Sequence, residues 1–277
     1  MTQVWVNQQT TINVSPFDRG LAYGDGVFAT MRTYPKSAPQ SGIMLLKLHL
    51  ARLAQGCERL HINWGPSETL ISHLSDLAQQ YPNSCIKLLL TRGVGGRGYQ
   101  APEQANITEI TSVHEIPIHY QTWQKQGVAL ATSKIKLAQQ PLLAGIKHLN
   151  RLEQVLIKSQ QLPDGFNDWL VYDTQDNVIE ASMANIFIVK AEQVFTPAIN
   201  QAGVSGVMRE AVIEALLSNG VDVRIQPLSL NDIVDADSIM LTNSLFGIIN
   251  VIKVDKNSYQ PWANTIAVAQ KLQTTLS

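Results

Sequence analysis

The chain has 277 residues, enough for one large domain or two smaller ones. Its 21 Lys+Arg stand against 22 Asp+Glu, so no basic stripe suggests nucleic acid and no charge block suggests a disordered tail. Hydrophobic residues make up 45% of the chain, yet no run approaches the roughly 20 apolar residues of a membrane span.

The segment Met1-Thr2-Gln3-Val4-Trp5-Val6-Asn7 lacks a basic stretch followed by an apolar one, so no signal peptide is expected. The most apolar short run, Ile43-Met44-Leu45-Leu46, stops at Lys47. The two cysteines, Cys57 and Cys85, sit in patterns that read as buried, which suits a reducing compartment. A cytoplasmic protein is expected. Asn13-Val14-Ser15 and Asn106-Ile107-Thr108 match the glycosylation triplet, and without a secretion signal they read as chance matches.

Leu46, Leu50, Leu53, Cys57 and Leu60 recur at helical spacing, which predicts a helix over about 46–61. Leu70, Ile71, Leu74, Leu77 and Ala78 predict a second, with Pro66 suited to its first turn. Ile86–Thr91 is an apolar run of strand length, and Glu109–Val113 is another strand candidate. Between them Gly93-Val94-Gly95-Gly96-Arg97-Gly98 must be a loop. Pro117 and the polar run from Gln121 to Gln126 then break the pattern, which places a lobe boundary there: 1–117 and 118–277.

The second part predicts strands near 128–134, 168–173 and 178–190, then 222–226, 238–242 and 248–254. One predicted helix follows Lys147 with Leu152, Val155 and Leu156 on one face. Another starts near 207 with Met208, Ala211, Val212, Ala215 and Leu216 on one face. No internal repeat is present. The expected fold is two lobes of α/β or α+β type, with a site between them.

Four segments can carry chemistry. Lys147 follows the largely apolar run Pro141–Ile146, and a lysine in apolar surroundings gives up its proton more readily. Most lysines at such junctions are simply solvated. Glu180 ends an apolar stretch and precedes the small residues Ala181-Ser182, which would let a flat ring approach. On spacing alone it reads more readily as a strand-end glutamate facing water. Gly203-Val204-Ser205-Gly206-Val207-Met208-Arg209 opens a helix, where bare N–H groups and the helix dipole suit a phosphate. Arg52, on the flank of its helix, could add a charge-assisted bond. Arg97, between Gly96 and Gly98, offers an accessible guanidinium to a carboxylate, or is a solvated arginine in a long hairpin loop.

His114-Glu115-Ile116-Pro117-Ile118-His119 has one residue too many for the zincin pattern, and Pro117 opposes a helix there, so no metal site is expected. No Gly-x-Ser-x-Gly elbow supports a serine hydrolase.

Five segments in order resemble the fold-type IV enzymes of pyridoxal 5'-phosphate (PLP), which include branched-chain and D-amino-acid aminotransferases and aminodeoxychorismate lyases. They are Asp18–Phe28, His49–Leu53, the surroundings of Lys147, Glu180 with Asn185-Ile186-Phe187, and Gly206–Arg209. The resemblance implies a two-lobed, D-amino-acid-aminotransferase-like fold with PLP between the lobes. It also implies a homodimer. It makes Lys147 the Schiff-base lysine and proton carrier, and Glu180 the partner of the pyridine nitrogen. Arg52, Gly206 and the N–H groups of Val207 and Met208 would hold the phosphate, with Ser244 where aminotransferases place a threonine.

The segments Arg92–Tyr99, Leu143–Leu156 and Gly203–Arg209 resemble the lyase branch more than the aminotransferases. Where the aminotransferases carry a tyrosine near the cofactor hydroxyl, this chain has Arg151 or Leu152. The lyase resemblance implies 4-amino-4-deoxychorismate as substrate. Its two carboxylates would call on Arg97 and Tyr99, with His148 and Arg151 as further candidates. A D-amino-acid or branched-chain aminotransferase is the competing expectation. A PLP-binding protein without turnover and a structural protein without cofactor are two others.

Overall fold

The computed structural model describes residues 3–10 and 13–273, which divide into two compact units. The first comprises residues 1–116 together with 146–150, and the second comprises 117–145 and 151–277. The change of unit at 116/117 lies one residue from the expected boundary, but the return of 146–150, which carries Lys147, formed no part of that expectation.

The first unit contains β1 (Gln3–Val6), α1 (Arg19–Tyr23), β2 (Gly26–Arg32), α2 (Leu46–Arg59), α3 (Glu68–Gln80), β3 (Ser84–Thr91) and β4 (Thr108–Glu115). Its four strands form an antiparallel sheet in the order β1-β4-β3-β2. Strand β3 pairs with β4 from Ser84↔Glu115 to Thr91↔Thr108, so residues 92–107 are the loop of one hairpin. The two helices supply the core: Leu50, Leu53 and Cys57 of α2 join Leu70, Leu74 and Leu77 of α3 against Ala29, Met31, Ile86 and Leu88 of the sheet. Burying a leucine such as Leu53 stabilises the unit by about 1.5–3 kcal/mol. The observed α2 ends two residues before the expected end at 61, and α3 is capped by Ser67, whose hydroxyl accepts from Leu70 N–H at 3.1 Å. Burial pushes the Cys57 thiol up to about 12 and that of Cys85 to about 11.

The second unit contains α4 (His119–Gln126), β5 (Val128–Thr132), α5 (Leu152–Ser159), β6 (Asp168–Tyr172), β7 (Val178–Ala181), β8 (Ala184–Lys190), β9 (Gln193–Pro197), α6 (Val207–Ser218), β10 (Val223–Gln226), α7 (Leu230–Val234), β11 (Ser238–Asn243), β12 (Gly247–Val254), β13 (Asn257–Ser258) and α8 (Thr265–Lys271). Strands β8, β11, β12, β5, β6 and β7 follow one another, and β7 pairs back onto β8, so the sheet closes into a barrel. Strands β9 and β10 extend it from β8, and β13 from β12. The apolar run 178–190 is therefore two strands joined by a tight turn at Ser182-Met183. The polar run 121–126 is helical: Tyr120 is buried and lies edge-on to Phe246 at 5.3 Å, a contact that overrides the polar character of its neighbours. In α5 only Ile157 is buried, and the face of Leu152, Val155 and Leu156 is exposed. In α6 the apolar face is buried as its periodicity predicts.

Candidate active site

Lys147 lies in an extended segment tied to the start of β2. Phe28 N–H donates to the Lys147 carbonyl at 2.9 Å, and Leu149 N–H to that of Gly26 at 3.0 Å. His148, half-buried, bridges Val27. Gly26 is required here, because a Cβ would fall 2.1 Å from the Leu90 carbonyl oxygen. At the segment's end the Asn150 amide donates to the carbonyl of Gly24, the left-handed residue that ends α1. The Lys147 ammonium group, half-buried, sits 4.5 Å from the centre of the Phe28 ring.

Arg52 is half-buried on α2, one turn after His49. His49 is buried, and its Nδ1 has no hydrogen-bond partner among the described residues. Burial holds its pKa well below the usual imidazole value, and the charges of Arg52 and Lys147 push the same way. The first unit thus gathers Lys147, Arg52 and a neutral His49. Arg97 and Tyr99 are exposed in the hairpin loop after β3.

In the second unit Glu180 is buried near the end of β7, and its Oε2 accepts from Val204 N–H at 3.0 Å. Asn185, its register partner on β8, donates to the Val204 carbonyl at 2.8 Å. The turn at 203–205 is also hydrogen-bonded to Gly145 on both sides. Gly206 then caps α6 without any side-chain hydrogen bond. A Cβ on Gly206 would meet Asn185 Oδ1 at 2.0 Å, so the start of α6 is bare backbone by necessity. Val207 and Met208 follow as its first turn.

Arg151 precedes α5, and the charges of both Glu180 and Glu153 act on it. Burial lowers its pKa, and the two carboxylates oppose that. Ser244 sits just after β11, where Asn243 Oδ1 accepts from the N–H groups of Leu245 and Phe246, each at 2.9 Å. Two residues earlier, the buried Thr242 hydroxyl has no hydrogen-bond partner among the described residues.

Residues 26–254 match the family described as amino-transferase class IV. The chain belongs to the class IV aminotransferase family. Among its relatives, an aminodeoxychorismate lyase of Vibrio harveyi is 37% identical over 89% of each chain. The crystal structure of 4-amino-4-deoxychorismate lyase from Pseudomonas aeruginosa is 35% identical, covers 99% of each chain and superposes with a TM-score of 0.91. The branched-chain amino acid aminotransferase from Escherichia coli is 22% identical, covers 96% of this chain and 91% of its own, and has a TM-score of 0.82; it shows the shared fold.

PLP is the cofactor of the class IV aminotransferases, and the residues present fit it. The second unit offers an anion site on the uncapped start of α6, an orphan hydroxyl at Thr242 and a buried carboxylate at Glu180. The first unit offers a half-buried lysine amine and an arginine. Two features carry no plain signal in the sequence. Asn185 stands out only as part of the Asn185-Ile186-Phe187 segment, and Arg19 only as part of the Asp18–Phe28 segment.

Proposed function

We propose that this chain is an aminodeoxychorismate lyase, converting 4-amino-4-deoxychorismate to 4-aminobenzoate and pyruvate for folate synthesis. The observation that carries this reading is the likeness to the Pseudomonas aeruginosa lyase over 99% of both chains. In this reading Lys147 is the covalent anchor of PLP and Glu180 faces the ring nitrogen. Arg52, Gly206, Ser244 and the N–H groups of Val207 and Met208 hold the phosphate. Arg97 and Tyr99 receive the substrate carboxylates, with His148 and Arg151 as further contacts.

PLP, when bound, supplies an electron sink for the charge left at the amine-bearing carbon. Glu180 is placed to serve it: Val204 N–H holds one carboxylate oxygen, and Glu180 and Arg151 attract one another. Lys147 Nζ takes the proton from the amine-bearing ring carbon. The same nitrogen returns a proton to the methylene carbon of the departing enolpyruvyl group, which leaves as pyruvate. The remaining ring becomes aromatic, and no water or other reactant is needed. The residues have mainly to orient the C–H bond.

We further propose a cytoplasmic homodimer. No described helix is long and apolar enough to cross a membrane. Leu152 at 76% exposure, with Val155 and Leu156 beside it, leaves an apolar face on α5 that suits burial against a second copy.

The test is to incubate the PLP-loaded protein with freshly generated 4-amino-4-deoxychorismate and follow both products. Equal amounts of 4-aminobenzoate and pyruvate, with no amino acceptor added, are expected. Absence of both, together with amination of a keto acid by an added amino acid, would replace the lyase with an aminotransferase.

A further inference from the structure

Arg19 is buried, and its guanidinium collects the backbone of a loop some 80 residues away. Its Nη1 donates to the carbonyls of Gly95, Gly98 and Gln100 at 3.4, 3.1 and 3.2 Å, and its Nη2 to that of Tyr99 at 3.1 Å. Its Nε donates to Asp25 Oδ2 at 2.8 Å. Arg92 uses the same carboxylate, through Nε at 2.8 Å and Nη2 at 3.0 Å.

One carboxylate thus pairs directly with two buried guanidinium groups, so these ion pairs hold one more positive charge than negative. Burying a charge is tolerated only when it is paired and hydrogen-bonded. Carbonyl dipoles make up the difference: those of Leu60 and His61 for Arg92, and those of the loop for Arg19. The loop is therefore part of the counter-charge of the cluster.

Its sequence is built for this convergence. Gly93, Gly95, Gly96 and Gly98 all take positive φ, and a Cβ on Gly96 would lie 2.2 Å from the Gln100 oxygen and 3.1 Å from Arg19 Nη1. With the carbonyls turned in, the side chains turn out. Arg97 is exposed, and Tyr99 is 89% exposed with its ring 5.5 Å from that of Tyr23. Tyr23 in turn lies 4.9 Å below the Arg19 guanidinium.

We propose that Arg19 is a positioning residue that fixes the 93–100 loop as a rigid arm presenting Arg97 and Tyr99 to a carboxylate-bearing substrate. This rests on the reading of Arg97 given under the proposed function. Preorganisation of two long side chains removes an ordering penalty that each substrate binding would otherwise meet.

The first readout needs no cofactor. Chymotrypsin should cut the full-length apo chain at Tyr99 slowly, and about tenfold faster in Arg19→Met, because cleavage requires the loop to open. Cleavage elsewhere should not change. Arg19→Lys keeps the charge opposite Asp25 but not the fork, and gives an intermediate rate in a variant that preserves the fold. The second readout is steady-state kinetics of the PLP-loaded enzyme. Arg19→Met and Arg97→Met should each raise KM for 4-amino-4-deoxychorismate about tenfold, with kcat within about twofold. Unchanged cleavage in both Arg19 variants overturns the pinning. Faster cleavage with KM raised only by Arg97→Met overturns its link to substrate. If Arg97→Met itself leaves KM unmoved, the Arg97 reading fails, and this proposal with it.

Discussion

Glu180 and Val204 are 24 residues apart, and a hydrogen bond of 3.0 Å from the Val204 N–H to Glu180 Oε2 holds one oxygen of the carboxylate. The preceding Gly203 makes the contact possible: it takes φ +83°, and a Cβ there would lie 2.5 Å from Ile179 Cγ2. The same turn delivers the chain into α6. One piece of backbone therefore orients the buried acid and opens the bare helix start.

Replacing Glu180 with glutamine keeps an acceptor for the Val204 N–H but removes the negative charge. PLP should still bind, and kcat for 4-aminobenzoate formation should fall about a hundredfold. Retention of kcat within about twofold would remove Glu180 from the ring-nitrogen role.

Lys147→Ala should abolish turnover while leaving the fold in place. The segment is held by main-chain bonds to Phe28 and Gly26, which alanine retains, and the contact of Nζ with the Phe28 ring that is lost contributes about 0.5–1 kcal/mol. PLP should bind weakly and without a covalent bond, checked by whether it dialyses away. Full activity in this variant would end the proposed mechanism.

Gly206→Ala forces a methyl group to within 2.0 Å of Asn185 Oδ1. Strain of this kind destabilises by about 1–3 kcal/mol, and the start of α6 must shift to relieve it. Thermal unfolding with and without PLP should show a lower midpoint and weaker cofactor stabilisation. An unaltered PLP affinity would exclude this helix start as the phosphate site.

His49 should make the apo protein acid-sensitive. Burial, with the charges of Arg52 and Lys147, places its folded pKa well below its unfolded value, which is about 6.5. Between the two values the unfolded chain binds more protons. The stability contribution is therefore complete above the unfolded pKa and is lost as pH falls below it toward the folded pKa. His49→Gln should flatten the fall in unfolding free energy between about pH 6.5 and 5 by up to about 1.4 kcal/mol per pH unit. An identical slope in wild type and variant would mean that the histidine is protonated in the fold.

Local order was legible because local physics sets it. The apolar periods that place α2, α3 and α6 in the sequence place them in the structure. The run 178–190 was misread as one strand because a two-residue turn at Ser182-Met183 interrupts neither its apolar character nor its length. The helix at 119–126 was invisible for the opposite reason: its mean composition is polar, and one buried aromatic, Tyr120, decides its place. The apolar stripe of α5 was legible, but periodicity does not say what covers it, and in the single chain it faces solvent.

By itself the sequence determined the family, through five short segments in a set order, and with it the cofactor; the roles proposed for Lys147 and Glu180 follow from that resemblance. Tertiary structure alone decided how those residues are held. Residues 146–150 leave the second unit and pair with β2, so Lys147 is positioned by Phe28 and Gly26, more than 100 positions earlier. Glu180 is oriented by a turn, Gly206 is kept bare by Asn185, and the 93–100 loop is gathered by Arg19. Hydrogen bonds and excluded volume between distant residues leave no periodic trace along a chain, and they become readable only once the chain has brought those residues together.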